Sequence, residues 1–344
     1  MKIPEHLNWQ ATGKTLGGGG QATIYEVTSK DNTDSTTYAM KILSKKKPQK
    51  AYERFVREIE AIKSLDHEYI IKIIDHSNID DDFHYYVMEY IEGAISLKKL
   101  IGSEKNPFYK SILESINFFQ KILSALSCLE NSGLVHRDLS LGNILFMPNK
   151  AIKIIDFGLC QTDEHETITL CDEGIGTQNY MAPECEAGAE GKISIYSDIY
   201  SAGKILWSVI TNRNAFARES SVFNNNSMKS IFPDNPECWH LHHIFKKTIR
   251  HNTADRWQDA KSAMSASSYI YYVISSGFPP LEIIDSHCPI CGYGNINTFD
   301  TSHMVFGNPN PRGITGLKCD NCGHCMAIDN MVLDGNLNKR NELS

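Results

Sequence analysis

Apolar and polar positions divide the chain into stretches of different period. From residue 10 to 92 the apolar residues come in short alternating runs, the period expected of half-buried strands. Residues 11–16 and 23–28 flank a run of four glycines and predict a hairpin; residues 37–43, 70–76 and 84–89 predict further strands. One helical pattern interrupts them, at 51–65, where Phe55, Ile59, Ile62 and Leu65 fall on one face. From about 111 the spacing becomes helical. Residues 112–131 carry Ile116, Phe119, Ile122, Leu123, Leu126 and Leu129 as a stripe, and 199–210 is nearly all apolar and predicts a buried helix. Residues 241–251 and 257–267 predict closing helices. Gly277, Pro279 and Pro280 mark a linker, and beyond it the helical pattern is lost in a Gly-, Asn- and Cys-rich stretch with strand-like pieces at 296–299 and 303–306.

The pattern predicts a β-rich lobe over 10–92, a helical lobe over 93–270, a linker over 271–287 and a small cysteine module over 288–328. A length of 344 residues accommodates this, at roughly 150 residues per domain. A net charge of −7 gives no argument for nucleic acid or an anionic membrane. The N-terminus has charge but no following apolar core, and uninterrupted apolar runs such as 269–274 are too short to cross a bilayer. A cytoplasmic protein is expected. Five of the ten cysteines fall after residue 287; reduced cytosolic thiols clustered in this way read as metal ligands before disulfides.

The candidate chemistry lies in His136-Arg137-Asp138-Leu139-Ser140-Leu141-Gly142-Asn143 and Asp156-Phe157-Gly158. Two Asp and one Asn at this spacing offer hard oxygen ligands for Mg²⁺ and a group to orient an attacking hydroxyl. Glycines at 17–20 let backbone N–H groups approach phosphates closely. Lys41, on an apolar strand, is costly to bury unpaired, and Glu58 on the following helix is its best candidate partner.

In order and spacing these motifs resemble the eukaryotic-type Ser/Thr protein kinases over roughly residues 10–267. The resemblance implies an α+β, bilobal kinase fold and ATP and Mg²⁺ as cofactors. Leu16, Gly17, Gly19, Ile24 and Ala39 would cover the nucleotide, with Ala22 in place of the family's third glycine. Lys41 would hold the phosphates and pair with Glu58. Met88 would guard the adenine pocket, Glu89 and Ile91 would face adenine, and Leu145 would lie beneath it. Asp138 would orient the substrate hydroxyl, with Asn143 and Asp156 as Mg²⁺ ligands. Ile62, Ile73, His136 and Phe157 would form an apolar column between the lobes.

The resemblance further implies an activation segment over 156–184 that ends in Gly176-Thr177-Gln178-Asn179-Tyr180-Met181-Ala182-Pro183-Glu184. Thr177 would bond Asp138. Thr167 and Thr169 would be phosphate acceptors that pair with Arg137. Glu184 with Arg256 would brace the helical lobe, and Asp198 would hold the catalytic loop. One departure stands out: Ser140 occupies the position of the family's γ-phosphate Lys, and Gly142 that of the Arg used by tyrosine-specific members. The expected function is phosphoryl transfer to Ser/Thr of protein substrates; the alternative is an ATP-binding pseudokinase scaffold.

Cys288-Pro289-Ile290-Cys291-Gly292 and Cys319-Asp320-Asn321-Cys322-Gly323 are two similar knuckles separated by 27 residues. Each can place two thiolates on one metal ion, and the module resembles a zinc ribbon with a closed, structural Zn²⁺ site. Residues 281–344 carry seven acidic and four basic side chains, so protein contacts are expected there in preference to nucleic acid.

Overall fold

The computed structural model describes residues 3–18, 22–31, 36–43, 49–78, 81, 83–157, 178–186, 192–217, 225–235, 238, 240–276, 296–300, 314–319 and 325–329. Five antiparallel strands form the first lobe: β1 (Trp9–Gly18), β2 (Ala22–Ser29), β3 (Thr37–Leu43), β4 (Ile73–His76) and β5 (Tyr85–Glu89), in the order β1-β2-β3-β5-β4. Helix α1 (Gln49–Lys63) packs on one face, burying Phe55, Ile59 and Ile62. A second apolar cluster of Trp9, Val27, Met40, Ile42, Tyr85 and Val87 fills the other face. Because side chains alternate along a strand, Met40, Ile42, Tyr85 and Val87 face this cluster while Ala39, Tyr86 and Met88 face the main core.

The second lobe is built on three long helices, α3 (Ile112–Asn131), α4 (Ile195–Thr211) and α7 (Ala260–Ser276), with the shorter α2 (Leu97–Leu100), α5 (Met228–Ile231) and α6 (Leu241–Thr248) around them. By length and apolarity α3 meets the criterion for a membrane span, at a mean hydropathy of 1.2. Its apolar face, including Ile116, Phe119, Ile122, Leu123, Leu126 and Leu129, is instead buried in the lobe against α4 and α7. A small sheet, β6 (Ile95–Ser96), β7 (Ile144–Phe146) and β8 (Ile152–Ile154), lies beside the 136–143 loop. None of its strands is evident from periodicity, since two or three residues cannot display a period. Helix α7 runs on to Ser276, beyond the expected end at 267, because Ile270, Tyr271 and Ile274 continue the apolar face onto the core.

The lobes are joined behind the cleft. Ile71 N–H donates to the Ile154 carbonyl (3.0 Å) and Ile154 N–H to the Tyr69 carbonyl (2.8 Å). Lys153 on β8 pairs with Glu89 at the end of β5 (2.7 Å) and donates to the Ile70 carbonyl (3.1 Å).

In the last stretch β9 (Ile296–Asp300), β10 (Ile314–Cys319) and β11 (Cys325–Asp329) form an antiparallel sheet with β10 in the centre. Strand β9 covers the expected strand at 296–299, while the expected strand at 303–306 lies outside the described residues.

Arg256 is 2% exposed and braces the helical lobe. It donates from both terminal nitrogens to the Glu184 carboxylate (2.6 and 2.8 Å), and from Nε to the Arg250 carbonyl (2.8 Å). Ser197 Oγ completes Glu184 at 2.6 Å. Removing one partner of such a pair leaves a buried charge uncompensated. Arg256→Leu is expected to lower unfolding free energy by about 3–5 kcal/mol in urea titrations, and Arg256→Lys to recover only part of it, since a lysine cannot make the two-pronged contact.

Candidate active site

The site is assembled from the 136–143 loop, the residues after β8 and the inner face of the first sheet. Asp198, fully buried in the first turn of α4, accepts from His136 N–H at Oδ2 (2.7 Å) and from Arg137 N–H at Oδ1 (2.8 Å). Arg137 (φ 66°) and Asp156 (φ 58°) both occupy the left-handed region, which is unfavourable for side chains with a Cβ and is held only where surrounding contacts enforce it. The His136 ring packs on Phe157, with centroids 4.6 Å apart. Phe157 shares one continuous core with buried Ile62 and Ile73 that crosses between the lobes, and His136 joins it through this ring contact.

Asn143 Nδ2 donates to the Asp138 carbonyl and to Asp138 Oδ2, both at 2.8 Å. Both partners are acceptors, so the amide nitrogen must face them and Asn143 Oδ1 points away. Lys41 forms an ion pair with Asp156 Oδ1, and Tyr86 Oη donates to the same oxygen at 3.3 Å. Burial opposes charge on Asp156, but the charge and hydrogen bond of Lys41, aided by the Tyr86 hydroxyl, outweigh it and hold the carboxyl below its ordinary value. Lys41, Asp138, Asn143 and Asp156 are thus brought to one place from three separate parts of the chain. Glu58 lies on α1, and its side chain is outside the described residues. Among the described side chains Lys41 pairs with Asp156.

Above this group, Leu16, Ile24, Ala39, Met88, Ile91 and Leu145 all contribute to the main core or pack against it. Gly17 has no positive φ, and a Cβ there would meet nothing within 4 Å. The fold itself therefore does not demand glycine at 17. Gly19, Thr167, Thr169 and Thr177 lie outside the described residues, as do Cys288, Cys291 and Cys322. Glu89 N–H donates to the Lys72 carbonyl (3.1 Å), so its own carbonyl is the backbone group left for a ligand.

The protein kinase domain family matches residues 10–266. This chain belongs to the protein kinase family. The serine/threonine-protein kinase PrkC of Bacillus subtilis is 35% identical over 211 residues, covering 61% of this chain and 31% of that protein. PknB of Mycobacterium tuberculosis is 27% identical over 274 residues, covering 76% of this chain and 42% of that protein. The chain thus spans less than half the length of these curated relatives. In fold, the PknI kinase domain of Mycobacterium tuberculosis superposes with a TM-score of 0.57 at 18% identity, covering 76% of this chain and 96% of that one.

Within this kinase fold, Ser140 is buried and extended (φ −150°, ψ 171°), and its carbonyl accepts from Asn143 N–H at 3.1 Å. It shapes the turn that presents Asn143, but it brings no cation. Tyr86 was not apparent from sequence as a site residue. The neighbouring Tyr85 carries the same hydroxyl, so residue type alone does not single Tyr86 out.

His136 is fully buried and neutral. Its Nε2 bonds the Ile155 carbonyl (3.3 Å), and its Nδ1 accepts from Asp138 N–H (3.3 Å). A proton on Nδ1 would oppose that N–H, and burial lowers the pKa to about 4. A base depressed in the folded state contributes stability that is present above pH 6.5 and lost as pH falls toward 4. The stability advantage of the wild type over His136→Phe is expected to shrink by about 1.4 kcal/mol per pH unit across that window, as measured by urea unfolding at pH 7.5, 6.5, 5.5 and 4.5.

Proposed function

We propose that the chain transfers the γ-phosphoryl group of ATP to Ser/Thr hydroxyls of protein substrates and autophosphorylates its activation segment. The observation that carries this reading is the convergence of Lys41, Asp138, Asn143 and Asp156 at the junction of the lobes. The donor set fits Mg²⁺: Asn143 Oδ1 and the Asp156 carboxylate are hard oxygens, and the hydrogen bonds of Asn143 Nδ2 leave its oxygen free to face a cation. When bound, the metal neutralises charge on the transferring phosphate. Asp138 orients the attacking hydroxyl and takes its proton. Lys41 holds the nucleotide phosphates, while the glycines at 17–19 admit them close to the backbone. Leu16, Ile24, Ala39, Met88 and Leu145 enclose adenine against the backbone of Glu89 and Ile91.

Arg137 supports regulation by phosphorylation. It is 8% exposed, and its Nε has no hydrogen-bond partner among the described residues. A phosphate on Thr167 or Thr169 would supply one. The reading places the kinase domain in the cytoplasm, where ATP and protein substrates are available.

The cysteine knuckles form a structural zinc site in this reading. Among the described residues no group of metal-binding side chains occurs, and the ribbon cysteines themselves lie outside them, apart from the backbone of Cys319 and Cys325. What supports the site is strand register. Cys319 pairs with Ile296, and Lys318 with Cys325. The second knuckle therefore occupies the β10–β11 connection, and the chain enters β9 at the same end of the sheet, five residues after Cys291. Metal analysis is expected to find one Zn per chain, lost in Cys288→Ser/Cys319→Ser.

Asp138→Ala should abolish phosphate incorporation from labelled ATP while leaving nucleotide binding intact. Incorporation by the wild type no higher than by this variant would favour the pseudokinase scaffold. A single positioned charge in such a site is worth about 10²–10³ in rate. Ser140→Lys is therefore expected to raise kcat by about tenfold or more, with KM for ATP little changed, in steady-state assays.

A further inference from the structure

Tyr86 has a place in the site that its position in a strand does not explain. Its side chain is 1% exposed. The β3–β5 register sets it directly opposite Lys41, and side chains directly opposite on neighbouring strands project side by side on one face. Lys41 Nζ lies 5.6 Å from the centroid of the Tyr86 ring. Phe55 of α1 packs on the ring at 5.5 Å, so the ring is held between helix and sheet and its hydroxyl has little freedom. That hydroxyl reaches Asp156 Oδ1, the oxygen that Lys41 also contacts.

The two donors differ in what competes for them. Lys41 is a cation, and nucleotide phosphates draw it. Tyr86 is neutral and donates one hydrogen bond, for which a carboxylate is a strong partner. The Asp156 carboxylate can turn about its side-chain torsions, so its direction is set by the groups that it touches, Lys41 and Tyr86.

We propose that Tyr86 is a positioning residue: its hydroxyl fixes Oδ1 of Asp156, so that the carboxylate keeps one orientation toward Mg²⁺ while the nucleotide competes for Lys41. The role ties α1 and the first sheet, through a side chain, to a metal ligand that belongs to the other lobe. It rests on the phosphoryl-transfer reading of the site.

The test compares ATP binding by calorimetry in Mg²⁺ and in EDTA for the wild type, Tyr86→Phe, Asp156→Asn and the double variant. Tyr86→Phe keeps the ring and removes one oxygen. At 3.3 Å the bond is long for an O–H···O contact and is worth an ordinary hydrogen bond, so Tyr86→Phe is expected to weaken ATP binding in Mg²⁺ by about three- to tenfold. Affinity in EDTA should stay at the wild-type value, the half-saturating Mg²⁺ concentration should rise in proportion, and Tyr86→Phe should have no further effect in Asp156→Asn. Equal weakening with and without Mg²⁺ would mean that Tyr86 acts on the nucleotide or on packing, and would overturn the proposal. So would an unchanged Mg²⁺ titration, or nucleotide-free protein that melts several degrees lower, which would make the hydroxyl a fold-stabilising group. Should Asp156→Asn itself retain full Mg²⁺-dependent binding, the assignment of the metal site fails, and the role of Tyr86 with it.

Discussion

A single carboxylate in the first turn of α4 fixes the centre of the molecule. Asp198 accepts the backbone N–H groups of His136 and Arg137. The loop that carries Asp138 and Asn143 is thereby anchored to a helix that is buried along nearly its whole length. Taking that carboxylate out of water is costly and pushes its pKa up to about 7, with the two N–H bonds and Arg137 pulling the other way. The cost is tolerated because the loop holds Arg137 in the left-handed region and would otherwise relax. Glu184 and Arg256 fasten the same first turn of α4 through Ser197 and the Tyr196 carbonyl, so the helix acts as a fixed post from which the site is hung.

The first lobe reaches this post by two routes. Behind the cleft, backbone bonds from the 69–71 segment to Ile154 and the Lys153–Glu89 pair hold β8 against the end of β5. Inside the cleft, Lys41 and Tyr86 both meet Asp156. The rear contacts set the distance between the lobes, and of the inner ones the Lys41–Asp156 pair is the one a nucleotide would disturb. This separation allows a cleft to bind and release ligand without losing its register.

Much of the site was legible in the chain because its residues sit in short linear motifs. Asp138 and Asn143 are five residues apart on one loop, and loop geometry alone brings them within 2.8 Å of each other. The long helix at 112–131 was legible to the residue, since twenty positions of regular spacing leave no competing period. The strands β7 and β8 were not, being three residues each. Nor were β10 and β11, whose Gly- and Cys-containing sequences alternate too weakly to stand out from loop.

The sequence by itself determined the order of the elements, the family and the identity of the chemical groups, because each is carried by local spacing and residue type. Tertiary structure alone decided which of those groups touch. Lys41 and Asp156 are 115 residues apart, and no periodicity records that they pair. The Glu58 side chain, the partner expected from the helix that follows Lys41, lies outside the described residues; among the described ones Lys41 pairs with Asp156. Tyr86 stands beside Lys41 only through the β3–β5 register. The physical reason is common to these cases: a burial pattern specifies which face of an element turns inward, but the partner met on that face is set by how the lobes close on each other.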